Sequence, residues 1–177
     1  IFVADMFYDI SHPVRREFHR KYIRQCLDNF ADDANVVQLI SAEFTGPLHF
    51  VQFWLDVIGE WEKETGKKAT GALSGTTKDV QDAILNDTQR AKLVDIIDIR
   101  YWHYKVDGLY APEGGKNLAP RQHARKMKVG KVTFDEAYRA VSEYRKKFPE
   151  KAVTYYAQNY PDMAWAVFMA SGSCSVV

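Results

Sequence analysis

The sequence predicts an α/β protein, a partial (β/α)8 TIM barrel of about six strands, and three observations predict it. Apolar runs of strand length alternate with segments of helical period through most of the 177 residues, and a parallel sheet with right-handed crossovers is the economical way to pack that alternation. No Gly-rich phosphate fingerprint follows any candidate strand, which removes the usual signature of an open nucleotide-binding sheet. Residues 159 to 163, Asn-Tyr-Pro-Asp-Met, separate the last two candidate strands without room for a helix. The alternative is an open doubly wound sheet. A closed eight-fold barrel needs about 250 residues, so residues 1 to 177 read as one domain, a fragment lacking the opening units and the last helix.

Residues 1 to 6 form the first candidate strand. His12-Pro13 then opens a helical segment to about residue 30, with Val14, Phe18, Tyr22, Ile23 and Cys26 near helical spacing. Residues 36 to 42 are a second strand. From Pro47 to about Lys63, Phe50, Val51, Trp54, Leu55, Ile58 and Trp61 repeat with helical period, and Gly66 supplies a stop. Residues 69 to 73 make a weaker strand. Thr77 with Asp79 starts a helix carrying Val80, Ile84 and Leu85, and residues 94 to 102 follow as an Ile-rich strand. Residues 103 to 132 hold no periodic pattern and end in a basic cluster that could receive a uronate, sulfate or phosphate. Thr133 and Glu136 are spaced as a capping box for a helix to about Lys147. Residues 152 to 157 and 164 to 170 complete the set as strands.

Composition excludes some partners. A formal charge of +1 gives no global argument for nucleic acid or an anionic membrane. No apolar stretch reaches membrane-helix length, and no signal peptide is visible, so the chain reads as soluble. Its start at Ile1 suggests a processed product or a piece of a larger protein. The two cysteines are too few for a disulfide scaffold, and the five histidines lack metal-ligand spacing, so neither metal nor cofactor is expected.

Ligand sites in parallel sheets lie beyond the carboxyl ends of the strands. In residues 94 to 102 alternation places Asp98, Arg100 and Trp102 on one face, where an acid, a cation and a ring could surround a polar ligand; the bland reading is a self-satisfied Asp98–Arg100 pair. Glu43 ends an apolar run beside Phe44, where partial desolvation would raise its pKa and suit it to proton donation. Simple alternation puts Glu43 on the helix side, so reaching the mouth requires a bulge, and capping the next helix is the competing role. Paired carboxylates are the minimal apparatus for glycoside hydrolysis, and Asp5 and Asp9 are alternative partners for Glu43.

Four segments carry a resemblance: Ser11-His12-Pro13-Val14-Arg15-Arg16, Ser41-Ala42-Glu43-Phe44-Thr45-Gly46-Pro47, Arg100-Tyr101-Trp102-His103-Tyr104 and Asn117-Leu118-Ala119-Pro120-Arg121-Gln122. They resemble an uncharacterised family of bacterial glycoside hydrolases with a TIM-barrel catalytic domain, related to the broad retaining-glycosidase superfamily. The resemblance implies a secreted or periplasmic enzyme and a parent polypeptide that completes the barrel. It also implies that Glu43 is the acid/base of the fourth strand, although Ala42 stands where Asn is expected. The seventh strand would end at Gln158 and Asn159 without a nucleophilic carboxylate.

The expectation is therefore a glycoside hydrolase acting on a poly- or oligosaccharide, with Glu43 as general acid and Asp98 as second carboxylate. Asp5, Tyr8, Arg100, Trp102, His103, Tyr156, Gln158 and Asn159 would line the sugar cleft, with no nucleic acid or membrane partner. A non-catalytic carbohydrate-binding domain is the rival. A phosphosugar isomerase or aldolase would need a strand-end Lys for a Schiff base, and none is seen.

Overall fold

The computed structural model describes residues 4–40, 46–74, 77–100, 102–110, 132–156 and 161–175. Two helices open the chain, α1 (Ala4–Tyr8) and α2 (Pro13–Asn29). Pro13 sits at the first helical position, where its missing N–H costs nothing, and the His12 side chain accepts from the Arg15 amide. Then come β1 (Val37–Leu39), α3 (Leu48–Thr65), β2 (Thr70–Ser74), α4 (Lys78–Asn86), a 3-10 turn (Arg90–Leu93) and β3 (Ile96–Ile99). A hairpin of β4 (His103–Lys105) and β5 (Gly108–Tyr110) precedes α5 (Phe134–Lys147), β6 (Ala152–Tyr156), α6 (Pro161–Met169) and β7 (Ser173–Ser175).

Five strands form one parallel sheet in the order β1-β2-β3-β6-β7, and β4 and β5 pair antiparallel as a separate ribbon. The side chains split cleanly between the two faces. Leu73, Ile97, Ile99, Val153 and Tyr155 belong to the core cluster, together with Val51, Leu55, Ile58, Ile84, Val141, Tyr144 and Val167 from the helices. The opposite face carries exposed Val37 and Leu39 on β1, and in its middle the buried Ala72, Ser74 and Asp98.

The partial barrel of about six strands is corrected by this topology: the described strands make an open five-stranded sheet with β1 and β7 at its margins. Two predicted strands are helices. Residues 4 to 6 of the predicted opening strand belong to the helix α1. The predicted final strand, 164 to 170, lies almost wholly in α6, whose Met163, Ala166 and Val167, with Ala170 just past its end, are buried at helical spacing. The helix that the barrel argument found missing is therefore present, and the strand follows it at Ser173–Ser175. A short run apolar on every side does not distinguish strand from helix by period. The open doubly wound alternative is not observed either, since the strand order never reverses.

Local chemistry explains most boundaries. Thr133 and Glu136 form the reciprocal capping box at the start of α5. Gly66 ends α3 in the left-handed region at φ 68°, its N–H donating to the Glu62 carbonyl at 2.9 Å. A Cβ there would meet nothing within 4 Å, so Gly66→Ala is expected to cost only the backbone strain, about 1 kcal/mol, read as a shifted urea midpoint with unchanged slope.

Candidate functional site

Parallel pairing sets Ser74, Asp98, Thr154 and Ser173 in one row across β2, β3, β6 and β7. They lie on the face opposite the main core, toward the carboxyl ends of β2 and β3. Three of them meet around one carboxylate. Ser74 Oγ donates to Asp98 Oδ2 at 2.5 Å and Thr154 Oγ1 to Asp98 Oδ1 at 2.6 Å. Arg100 Nε donates to Asp98 Oδ2 as well, forming an ion pair. Asp98 is 3% exposed and Ser74 is fully buried, so these donors replace the water that a buried charge would otherwise lose. Arg100 keeps about a quarter of its side chain accessible, 27% against 4% for the Asp98 side chain. The arrangement gathers a buried carboxylate, a tethered guanidinium and two hydroxyls at one point.

The other expected residues scatter. Trp102 leaves the row: it is 1% exposed, and its Nε1 donates to Gln81 Oε1 on α4 at 2.9 Å. The β3–β6 ladder ends at Ile99, beyond which alternation is no longer enforced, and the indole gains an apolar site and a hydrogen bond by turning to the helices. Its expected place in a sugar cleft is corrected accordingly. Asp5 is exposed on α1, not at a strand end. Asp9, the alternative acid, accepts from Ser11 at 2.5 Å and pairs with Arg15 at 2.6 Å. Those contacts, the Ser11 hydrogen bond first, pull its pKa down to about 2, so it is an anion rather than a proton donor. Tyr8 ends α1 half-buried against Phe50, with ring centroids 5.0 Å apart, and burial raises its phenol pKa. The His49 Nε2 lies 2.9 Å from the Tyr8 carbonyl oxygen, so Tyr8 joins the first turn of α3. The backbone of His103 lies in β4 and that of Tyr156 ends β6. Glu43, Gln158 and Asn159 lie outside the described residues.

Ser74 and Thr154 are the members of the cluster that sequence reasoning did not assemble. Ser74 directly follows the predicted strand 69 to 73; Thr154 sits mid-run in Ala-Val-Thr-Tyr-Tyr, and only the register with Asp98 marks it. Among the described residues no group of three His, Cys, Asp or Glu side chains is placed to hold a metal ion, and no helix is long and apolar enough to cross a membrane.

Fold and cluster together define a parallel α/β domain with a charged, hydroxyl-rich centre toward the carboxyl ends of its strands. The chain belongs to the family described as Domain of unknown function (DUF6298), whose model matches residues 1–177. No curated protein and no solved structure matches it.

Proposed function

We propose that this chain acts on a poly- or oligosaccharide as a glycoside hydrolase, with its sugar site along the row Ser74, Asp98 and Thr154 and the neighbouring Arg100. One observation carries the reading: three adjacent strands deliver hydroxyl, carboxylate and guanidinium groups to a single point toward the strand ends where parallel sheets bind ligands. Such a set offers both donors and acceptors, as vicinal sugar hydroxyls require. Glu43, carried on the segment that follows β1, is the proton donor in this reading, and Asp98 holds the donors that orient the sugar.

One feature favours a second reading, a carbohydrate-binding domain without turnover. Both Asp98 oxygens already accept hydrogen bonds, which leaves this carboxylate poorly placed as nucleophile or base. Glu43→Gln separates the two. For the hydrolase, the variant keeps the fold by circular dichroism and loses at least roughly 100-fold in release of reducing ends from an oligosaccharide panel, the minimum expected for removing a general acid. Unchanged turnover removes Glu43 from the chemistry. Saturable oligosaccharide binding by wild type with no reducing ends released establishes the binding domain instead.

A further inference from the structure

Trp102, two positions after Arg100, belongs to a cluster on the helix side of the sheet. Lys78, the first residue of α4, has a side chain only 13% exposed. Its Nζ lies 2.7 Å from Asp82 and 3.2 Å from Glu143, and 3.3 Å from the Tyr144 hydroxyl. The same ammonium sits 5.1 Å from the ring centre of Trp102 and 5.2 Å from that of Tyr144, within range of cation–π attraction. Tyr104 of β4 donates to Glu143, Tyr144 donates to Asp82, and the Arg139 guanidinium stacks over the Tyr104 ring at 3.9 Å. Burial first, and then Asp82, hold the Tyr144 phenol above its ordinary pKa, so it stays a donor. Lys78 thus ties α4 and α5 to Trp102, while Glu143 and Arg139 of α5 hold Tyr104.

We propose that Lys78, with Gln81, is a positioning residue for the sugar site: it pins Trp102 and thereby fixes the backbone that presents Arg100 to Asp98. This inference rests on the carbohydrate reading above and adds to it the device that holds the site in shape. Arg100 lies between two restraints. On one side is Ile99, the last residue of the β3–β6 ladder; on the other is Trp102, two positions along the sequence. Gln81 is fully buried, and its Oε1 holds the indole N–H. Among the described residues its Nε2 has no partner, so its burial is an expense that holding Trp102 accounts for. Without the Lys78 cation, Asp82 and Glu143 would repel across the α4–α5 contact and the indole would lose its charged lid.

The test pairs Lys78→Met, which keeps the apolar stem and deletes the charge, with Lys78→Arg, which can remake both ion pairs and stack on the indole. The direct readout is the Arg100 Nε–H signal by nitrogen-15 NMR, with the Trp61 indole N–H, bonded to Asp28 at 2.7 Å in another part of the core, as internal control. Lys78→Met is expected to speed exchange of the Arg100 Nε–H at least tenfold while Trp61 is unchanged, and Lys78→Arg to restore it. On the oligosaccharide that wild type turns over best, Lys78→Met raises KM about tenfold with kcat within twofold. Unaltered Arg100 exchange in a folded Lys78→Met protein overturns the proposal, as does altered exchange with unaltered KM. If wild type turns over no sugar, the hydrolase reading fails, and the Arg100 signal still decides whether Lys78 positions it.

Discussion

Gly71→Ala is expected to leave the chain without a cooperative fold. Gly71 lies in β2, between β1 and β3, and a Cβ built on it would stand 2.2 Å from the Leu93 carbonyl oxygen. That oxygen belongs to backbone that has little freedom to retreat. Gly71 N–H donates to Asp95 Oδ2 at 2.9 Å, its carbonyl accepts from the Asp95 amide at 2.8 Å, and buried Lys151 Nζ holds the Ala91 and Val94 carbonyls at 2.7 and 2.6 Å. Relief therefore requires the 3-10 turn to peel from the sheet, breaking these bonds together. Gly59→Ala is the informative comparison, because its Cβ would meet only the flexible Leu93 methyls, at 3.2 and 3.8 Å. Thermal melts decide: loss of the transition for Gly71→Ala beside a change of a few degrees for Gly59→Ala is the expected pair. A Gly71→Ala melting temperature within about 5 °C of wild type would refute the close approach.

Asp98→Ala is expected to destabilise the protein by about 3 kcal/mol and to abolish saccharide binding. Removing one member of a buried ion pair strands its partners, a loss of roughly 3–5 kcal/mol when both are enclosed. The lower end applies because Arg100 is 27% accessible and can recover some hydration. Ser74, fully buried, loses its hydrogen bond to Asp98. Urea unfolding monitored by tryptophan fluorescence gives the stability, and isothermal titration with the oligosaccharide bound by wild type gives the affinity. Full affinity in a folded Asp98→Ala protein would show that the row is architectural and would remove the sugar site proposed for it.

The fold was legible wherever local chemistry and long period agreed. In α3, seven buried residues from Phe50 to Trp61 recur on one side and Gly66 closes it; in α5, the capping box marks the first turn. It was least legible where an apolar run was short. Residues 164 to 170 contain no charge to mark a face, and Trp165 and Phe168 stay exposed while Ala166 and Val167 are buried. That pattern becomes readable only once the helix is packed. On α2, Val14, Phe18 and Tyr22 share the helical spacing of a core stripe, yet they are exposed, and the buried residues are Ile23 and Leu27. Period identifies a helix, and its neighbours choose which side is covered.

By itself the sequence determined the α/β class, the position of most helices and strands, and the placing of Asp98 and Arg100 on one face, because alternation, caps and turn residues act over a few neighbouring positions. Tertiary structure alone decided that the sheet is open, that Trp102 turns to the helices, and that Ser74 and Thr154 join Asp98. Those outcomes depend on which strands become neighbours and in what register: Ser74 and Asp98 are 24 positions apart, and Asp98 and Thr154 are 56. No local period encodes a hydrogen bond across such separations; burial of the whole helix layer against one face of the sheet brings the three together.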